Sequence, residues 1–441
     1  MNELTHLFRR AAAVLAGENG PDADEDVRRL LATLGYTSGD TAERQQHAAL
    51  LAAAAQLRRI FQLRAPDAPG LVFFGGEADP SLIGWKGTGH APGSLAGAGL
   101  SIREAFESCV GEGVEYLSQF DTQTDELDRA SLDQRARSLG KRLETFVSIL
   151  LETVGISPTQ PIDWVRAKRL HDGAATWLPA DICLRRSADR RDFATPFKLS
   201  TGCGAGASFE RAALHGVCEL IERDAVALWW RGGRRGRAVA FDGEAGHAAI
   251  QLLAALREGK AQRTTWLLDI TTEIGVPCIT AASTGPDGRG LACGFAARPT
   301  RPSAARAAIF ELCKMELGSA VVEAKRSESG EDALNQADRA YLRRTSQIDA
   351  TQCALLHPAG PPIVESASHV ATLNTIIDHL GSMGIEIFAV DLQRPQLAVP
   401  AVRVVAPHLQ LDPSEIVTPR LASAIADTGG GEAYTGGVAL L

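Results

Sequence analysis

Long apolar runs and long basic runs are both missing from this chain of 441 residues. No apolar stretch approaches the roughly 20 residues that a membrane-spanning helix needs, and no signal peptide precedes the first predicted helix. The formal net charge is −8 and the sequence pI is about 5.8, whereas a nucleic-acid-binding surface needs a basic stripe. We therefore expect a cytoplasmic protein without a membrane or nucleic-acid partner.

The cysteines lack the spacing of a metal site. None of the eight forms a Cys-x2-Cys pair and most lie in apolar runs, so we expect buried free thiols rather than zinc ligands or disulfides. Cys203 differs because it lies in a glycine-rich loop, where close packing of a small side chain is favoured over a covalent sulfur-carrier role. The eight are Cys109, Cys183, Cys203, Cys218, Cys278, Cys293, Cys313 and Cys353.

One pattern of small and polar residues recurs three times: an Ala, six residues, a Glu, two residues and a second polar group. Each copy lies in an Ala-rich stretch of helical character, so its two polar groups project from one face about one turn apart. The middle copy is apolar on nearly every side, and a buried carboxylate must be neutralised by a partner, a proton or a metal. The copies are Ala105/Glu112/Glu115, Ala212/Glu219/Glu222 and Ala304/Glu311/Lys314.

Five carboxylates on three such helices predict a shared polyanionic site. Hard cations such as Mg²⁺ are held by a few carboxylates together with substrate phosphates, so a nucleoside-triphosphate site is the natural hypothesis. The alternative is that these are ordinary surface pairs, because glutamate is a good helix former and is common on solvated helices. The apolar surroundings of all three copies favour the site.

The run STGCGAGASFERAALHGVCELIERDAVALWW at 200–230 resembles the signature of the YcaO superfamily, a Ser/Thr- and Gly-rich loop followed by a helix ending Glu-x-x-Glu-Arg-Asp. Other similar segments follow in order, and the resemblance covers roughly residues 70–441. They are GWKGTG at 84–89, Ser108-x3-Glu112-x2-Glu115, PIDWVRAKRLHDGAATWLPADIC at 161–183 and FAVDLQRPQLAVPAVRVVAPHLQ at 388–410.

This resemblance implies an enzyme that binds ATP with Mg²⁺ between acidic helices and activates a backbone amide of a ribosomally made precursor peptide. Carboxylates would hold the cations while Arg and Lys face the phosphoryl oxygens. The implied metal ligands are Glu112, Glu115, Glu219 and Glu222. The other nucleotide-site candidates are Lys86, Ser108, Ser208, Glu210, Arg223, Glu311, Lys314 and Arg403.

Several positions depart from the family pattern. Tyr116 stands where the first helix usually has Arg, and Lys314 stands where the third often has Gln. Ala207 and Arg211 replace an Asn and a Glu that often begin the central helix. Glu210 is one residue out of register, about 100° around the helix. These departures motivate the alternative of a non-catalytic accessory subunit that binds peptide without hydrolysing ATP.

Three further features are candidates for chemistry. His215 lies one turn before Glu219, where a hydrogen-bonded core histidine is favoured over a general base, and His90 is a second histidine candidate. The small, apolar C-terminal tail predicts that the Leu441 carboxylate lies near the active site, where a base is useful. Ser208 is predicted to cap the central helix, whose first N–H groups attract anions; close backbone packing of the glycine-rich loop is the alternative.

The nucleophile that attacks the activated amide decides the product. A Cys, Ser or Thr side chain of the substrate gives an azoline ring by cyclodehydration, and an external sulfur donor gives a thioamide. Azoline formation is the broader precedent, although this chain ends in EAYTGGVALL rather than the Pro-rich tail of many azoline-forming members. The resemblance implies a separate leader-peptide-binding or sulfur-transfer partner protein, and a homodimer.

The periodicity predicts an α/β fold of the α+β type with an N-terminal helical segment over 1–70, and the resemblance implies a YcaO-like ATP-binding catalytic domain over 71–441. Its sheet is mixed and largely antiparallel, because turn signals between Ile279 and Ala292 indicate a hairpin. The N-terminal segment lacks strand-like runs, which argues against a winged-helix peptide-recognition domain. Helices are predicted at 4–16, 24–34, 41–63, 246–256, 303–324 and 371–383, and strands at 265–270, 277–284, 291–297, 386–392 and 402–407.

Overall fold

The computed structural model describes residues 3–17, 24–37, 39–240, 243–259, 263–362 and 371–440. The helices are α1 (Glu3–Ala16), α2 (Glu25–Thr33), α3 (Thr41–Ala54), α4 (Ile102–Ser118), α5 (Leu132–Leu139), α6 (Lys141–Thr153), α7 (Phe209–Trp230), α8 (Glu244–Arg257), α9 (Arg301–Ser329), α10 (Gln336–Gln347), α11 (Leu373–Ser382), α12 (Pro419–Thr428) and α13 (Glu432–Thr435). Within these described ranges, no helix combines the length and the apolar character that crossing a membrane requires.

The strands are β1 (Arg59–Leu63), β2 (Val72–Ala78), β3 (Gly93–Gly99), β4 (Leu127–Ala130), β5 (Ile162–Arg169), β6 (Ala175–Pro179), β7 (Cys203–Ala205), β8 (Arg237–Ala238), β9 (Thr264–Asp269), β10 (Cys278–Thr284), β11 (Ala292–Ala297), β12 (Phe388–Asp391) and β13 (Ala401–Val405). Their ladders are antiparallel, and helices accompany every sheet. The predicted α+β class with largely antiparallel sheets is therefore confirmed.

The chain divides into two compact units. One comprises Met1–Leu63, Val72–Val217 and Glu386–Pro407, and the other comprises Arg64–Leu71, Cys218–Ile385 and His408–Leu441. The division falls within α7, after Val217. The N-terminal helices therefore share a unit with the first acidic helix, and the predicted division of the chain at residue 70 stays a prediction.

The first unit contains two antiparallel sheets. The smaller has the order β1-β2-β3, and the larger has the order β4-β5-β12-β13-β7, with β6 also pairing with β5. The large sheet brings residues close to 200 and 400 in sequence together, since Arg403 of β13 faces Cys203 of β7. Non-local pairing of this kind places the glycine-rich loop beside the late strand pair.

The second unit is built on one sheet of order β11-β10-β9-β8. Every residue of β10 and β11 is buried, and the two strands form an antiparallel hairpin in which Cys278 pairs with Ala297. The hairpin predicted between Ile279 and Ala292 is thus confirmed. Helix α9 packs on β11, so the third copy of the repeated pattern belongs to this unit.

Each of the three pattern-bearing helices lies against a glycine of a strand. A Cβ atom added to the glycine would overlap the helix backbone, so only hydrogen fits there. The contact is with the pattern's own alanine in α4 and α7 and with Ala308 in α9, and these three alanines are 0% exposed. The distances from that Cβ position are 2.2 Å for Gly97 to Ala105 O, 2.2 Å for Gly204 to Ala212 O and 2.3 Å for Gly294 to Ala308 O.

The N-terminal segment differs from its prediction at one end. Helices α1 and α2 match, and Asp24 caps α2 by accepting a 3.0 Å hydrogen bond from Val27 N. The helix predicted over 41–63 ends at Ala54, and Arg59–Leu63 forms β1 along β2. No Gly or Pro lies at the end of the helix, and the Gln and Arg residues that follow it favour helix. The strand forms because pairing with β2 overrides this local propensity. The premise that the segment lacks strands was wrong.

Asp224 of α7 is fully buried, although the helix around it is apolar. Its carboxylate accepts a 2.8 Å hydrogen bond from Gln410 N and a 2.7 Å ion pair from Arg420, which also contacts Glu273 at 2.6 Å. Burial raises the pKa of Asp224, and Arg420 opposes that shift. The last residue of the Glu-Arg-Asp run therefore ties α7 to α12 within the second unit.

We predict that Asp224→Asn lowers the free energy of unfolding by about 3 kcal/mol, because it leaves the largely buried Arg420 without its main counter-charge. Urea denaturation measures the change. The matched control is Glu25→Gln, which breaks an exposed 2.9 Å ion pair with Arg29. An exposed pair contributes less than about 0.5 kcal/mol, so similar losses in the two variants would contradict the structural role of Asp224.

Candidate functional site

The first acidic helix, α4, presents its two glutamates to backbone N–H groups of neighbouring strands. Glu112 is exposed and accepts a 2.6 Å hydrogen bond from Ala96 N of β3. Glu115 is half-buried and accepts a 3.0 Å hydrogen bond from Ala205 N of β7. Ser108 lies half-buried one turn before Glu112. Both carboxylates are thus fixed in direction by the strands on which α4 packs.

The glycine-rich loop at 200–206 is held from behind by Arg403. This side chain is 1% exposed, and its Nη1 donates to Leu199 O at 2.6 Å and to Thr201 O. Its Nη1 also lies 3.8 Å from Cys203 Sγ. The structure places Arg403 as a support of the loop, and contact with nucleotide remains only a prediction.

The start of the central helix behaves as predicted at Ser208. Its Oγ accepts a 3.3 Å hydrogen bond from Arg211 N, which caps the helix. Glu210 is exposed, and hydrogen bonds from its own backbone N–H and from Ser208 lower the pKa of its carboxyl. Glu210 therefore interacts with Ser208, the residue that caps the helix. This contact is the consequence of its displacement by one residue from the family position.

His215 and Glu115 contact the same residue of β7. The Nδ1 atom of His215 lies 2.8 Å from Ala205 O, and it is the donor because a carbonyl oxygen only accepts. His215 is hydrogen-bonded, as predicted, but it is exposed, so the expectation of a core histidine was wrong. The α7 helix turns this position outward even though its neighbours in sequence are buried.

Lys86 projects from a loop that is anchored on both sides. Trp85 Nε1 donates to Asp121 Oδ1 at 2.8 Å, and its ring lies 4.9 Å from that of Phe120. His90 packs edge-on against Phe120 at 5.2 Å, and burial lowers the pKa of its imidazole. Lys86 itself is exposed. The loop therefore presents an accessible ammonium group next to residues that are packed in place, and His90 is one of these packed residues.

The second unit brings two copies of the pattern together around Arg223. Its Nη2 lies 3.5 Å from Glu222 Oε1 and 3.6 Å from Glu219 Oε1. On α9, Lys314 Nζ lies 3.2 Å from Glu311 Oε2. Glu311 also interacts electrostatically with Glu222 and Arg223. Three carboxylates and two cationic groups thus form one cluster, which we call the α7/α9 cluster.

Protonation differs sharply within the α7/α9 cluster. Glu222 is 7% exposed, and burial raises the pKa of its carboxyl to about 7, with Glu219 and Glu311 adding to the rise. Arg223 and Arg298 only partly offset it. Lys314, by contrast, lowers the pKa of the half-buried Glu311. At Glu222, burial therefore outweighs the neighbouring positive charge.

These donors suit a hard cation. Among the described residues, no group of three or more His, Cys, Asp or Glu side chains is arranged so that it could hold a metal ion. Mg²⁺ takes one or two carboxylates and completes its shell with phosphate and water, so the cluster fits Mg²⁺ bound with a nucleotide. Glu112 and Glu115 belong to the first unit, and their place in a four-glutamate set stays a prediction.

Two arginines near these sites were not singled out from the sequence. The guanidinium of Arg185 lies 5.3 Å from the centre of the Tyr116 ring, and its Nε donates to Gln119 at 2.9 Å. A cation therefore stands beside the position where the family usually has Arg. Arg298 acts on Glu222 from the end of β11. Neither residue lies in a motif, and only the tertiary structure reveals them.

The C-terminal tail folds inward up to its last described residue. Trp230 Nε1 donates to Val438 O at 2.7 Å, and Leu440 is buried. Trp230 follows Glu222 by eight residues, which is about 12 Å along a helix. Leu441, the predicted carboxylate base, lies outside the described residues.

The thiols are free and buried, as predicted. Cys203 Sγ donates to Leu199 O at 3.6 Å, and the side chain is 5% exposed. Burial raises the pKa of Cys183 to about 12 and that of Cys218 to about 11, so these groups are poor nucleophiles. The packing explanation for Cys203 is favoured by its enclosed position.

We predict that the contribution of Glu222 to the stability of the nucleotide-free protein falls as the pH rises from about 4.5 to about 7. In the folded state the pKa of Glu222 lies above its ordinary value of 4.5, so the folded protein binds more protons than the unfolded protein over this pH range. The contribution of Glu222 to the free energy of unfolding therefore falls with rising pH until Glu222 ionises in the folded state. The full loss is about 3 kcal/mol. Urea denaturation across this range should show a flatter profile for Glu222→Gln.

Glu311→Gln serves as the control for that measurement. Lys314 stabilises the ionised Glu311, and Glu311 contributes less than burial to the raised pKa of Glu222, so removing this carboxylate leaves most of the fall in stability with rising pH. A Glu222→Gln variant that keeps the full wild-type pH dependence would contradict the assignment of Glu222 as the uncompensated group.

Comparison with known proteins adds independent evidence. The family model described as YcaO cyclodehydratase, ATP- and Mg²⁺-binding, matches residues 96–410. An uncharacterized protein in the tfuA 3′ region of Rhizobium leguminosarum bv. trifolii is 28% identical over 353 residues, covering 76% of this chain and 80% of that protein.

Two solved structures share the fold. A heterocyclase in complex with substrate and cofactor has a TM-score of 0.64 and 21% identity, covering 85% of this chain. This chain spans only 53% of that structure's length. YcaO from Methanopyrus kandleri, bound with AMPPCP and Mg²⁺, has a TM-score of 0.54 and 17% identity, covering 80% of this chain and 86% of that one.

The family model spans well over half of the chain and contains both acidic patterns of α4 and α7, the α7/α9 cluster and the glycine-rich loop. The cofactors predicted from the sequence, ATP and Mg²⁺, are thereby confirmed, as is the resemblance itself. This chain belongs to the YcaO family of ATP- and Mg²⁺-binding cyclodehydratases.

Proposed function

We propose that the protein uses ATP and Mg²⁺ to activate a backbone amide of a ribosomally made precursor peptide, leading to an azoline ring at Cys, Ser or Thr. The observation that carries this proposal is the buried Glu222 beside Glu219 and Arg223 inside the family signature, where burial outweighs the neighbouring positive charge and raises the pKa of the carboxyl to about 7. Buried carboxylates with strongly shifted pKa values are concentrated at functional sites.

The residues divide by charge into two roles. When bound, ATP supplies a phosphoryl group that turns the amide oxygen into a leaving group. Glu219 and Glu222 hold the cation, and we propose the same role for Glu112 and Glu115 in their own unit. Arg223 keeps the two α7 carboxylates oriented and faces phosphate, while exposed Lys86 neutralises phosphoryl oxygens from its anchored loop.

Two alternatives remain open. A thioamide product needs a sulfur-transfer partner. A non-catalytic peptide-binding subunit is suggested by Tyr116 and Lys314, but Arg185 supplies a cation beside Tyr116, which weakens that reading. A separate leader-peptide-binding partner, a homodimer and a cytoplasmic location are further parts of the proposal. The related heterocyclase structure with its substrate supports a peptide partner.

We predict that Glu219→Gln and Glu222→Gln each lower ATP turnover on the order of 10²-fold, because one cation contact is lost. Melting temperature without nucleotide should stay the same or rise, since repulsion among the carboxylates is relieved. Coupled ATPase assays and calorimetry measure both. Glu328→Gln, an exposed glutamate of α9, is the control. Destabilised but fully active variants would defeat the cation-site role.

The product can be identified by mass spectrometry of a candidate precursor peptide after incubation with the protein, its partner proteins, ATP and Mg²⁺. Cyclodehydration removes one water per ring, whereas thioamide formation exchanges an amide oxygen for sulfur and needs a sulfide source. We expect loss of water. A gain in mass that depends on added sulfide would establish the thioamide alternative, and an unchanged peptide with no ATP consumed would favour the accessory subunit.

A further inference from the structure

The described residues of the N-terminal segment, 3–17, 24–37 and 39–63, include a part that lies directly against the acidic helix α4. Gly113 stands between Glu112 and Glu115, and a Cβ added to it would lie 2.7 Å from Leu57 Cδ2 and 3.1 Å from Leu95 Cδ1. Leu57 is 4% exposed and Leu95 5%, so both side chains are enclosed by their neighbours. At the level of the acidic pair, α4 is clamped between the N-terminal segment and β3.

A second contact holds the start of α4. Tyr36 Oη donates to Glu107 Oε1 at 2.9 Å, and Arg103 Nε donates to the same oxygen at 2.9 Å. Arg103 Nη2 also donates to His47 Nε2 at 2.7 Å. His47 is stacked on Tyr36 with ring centres 3.9 Å apart, and both are almost fully buried. Burial raises the pKa of Tyr36, so its hydroxyl remains a donor.

A third contact is apolar. Phe106 of α4 is 2% exposed, and its ring centre lies 5.6 Å from that of Phe8 on α1 and 6.3 Å from that of Phe74 on β2. The three contacts occur at residues 103–107 and at 113, so they hold α4 at two levels almost two turns apart. Two fixed levels determine both the rotation of a helix about its axis and its shift along that axis.

Any movement of α4 would change the position of the Glu112 carboxylate. Its Oε2 lies 2.6 Å from Ala96 N, next to the same Leu95 that contacts Gly113. A helix displaced from Leu57 and Leu95 would lengthen this hydrogen bond and redirect the carboxylate. Reacting groups misplaced by about 1 Å can lose on the order of 10²-fold in rate, so the position of α4 matters for function.

We propose that the N-terminal segment is a positioning element for Glu112 and Glu115, with Leu57 and Tyr36 as its contact residues. The family match begins at residue 96, so this segment lies outside it. The inference rests on the proposed function, in which these two carboxylates hold cations that accompany the nucleotide. The segment then acts on the reaction through its contacts with α4.

The decisive variant is Gly113→Ala, and Gly111→Ala is its matched control. Both add one methyl group to the interior of α4 and favour helix equally, but a Cβ at Gly111 meets nothing within 4 Å. We expect Gly113→Ala to weaken ATP affinity measured by calorimetry with Mg²⁺ about tenfold and to raise the Mg²⁺ concentration needed for half-maximal binding. Gly111→Ala should bind as the wild type does.

Rescue identifies the N-terminal segment as the cause. Adding Leu57→Ala to Gly113→Ala removes the closest contact and should restore most of the affinity, although Leu57→Ala itself lowers the melting temperature. A purely structural contact predicts the reverse, a double variant that is less stable and binds no better. Unchanged affinity in Gly113→Ala, or no recovery in the double variant, would overturn the inference.

The test separates this inference from the proposed function. If the wild type binds no ATP with Mg²⁺, the proposed function fails; if the wild type binds and Gly113→Ala binds equally well, only the positioning role fails.

Should Gly113→Ala not fold, Tyr36→Phe replaces it, because that change keeps the ring and removes one hydrogen bond to Glu107. About threefold weaker affinity is then expected, and unchanged affinity contradicts the role.

Discussion

The interaction on which the second unit depends is the pairing of charges along one buried helix. Glu222, Arg223 and Asp224 are consecutive in α7, so their side chains point in three directions. Asp224 is neutralised by Arg420, and Arg223 contacts Glu222 and Glu219. One short run of sequence therefore anchors the helix on one side and gathers acidic groups on another. The ion pair of Asp224 and Arg420 stabilises α7 and so offsets the repulsion among the carboxylates on its opposite face.

Close packing of helices on strands is the second constraint. The alanines of the repeated pattern and the strand glycines bring backbones together, and the glutamates follow seven residues later, two turns along each helix. The spacing of the repeated pattern therefore describes the packing of a helix on a strand as well as the position of its polar side chains. In α4 the same spacing places Gly113 against Leu57, where the N-terminal segment meets the helix.

Local patterns in the sequence predicted much of this protein. Apolar periodicity located the long helices and the hairpin of β10 and β11, and the Glu-x-x-Glu spacing located the α7/α9 cluster. The break after Ala54 was missed because no residue there disfavours helix and the ladder with β2 is a tertiary effect. Arg185 and Arg298 were missed for the same reason, since their partners lie far away in sequence. The exposure of His215 depends on helix rotation, which a sequence pattern fixes only coarsely.

The packing of α9 on β11 has an energetic consequence beyond geometry. It brings Glu311 toward the α7 carboxylates when the second unit folds, so the electrostatic work of gathering like charges is done at that stage. Arg223, Arg298 and Lys314 offset part of this repulsion. In the proposed cation-binding role, the repulsion that remains after folding adds to the affinity for a cation, so folding and binding are linked.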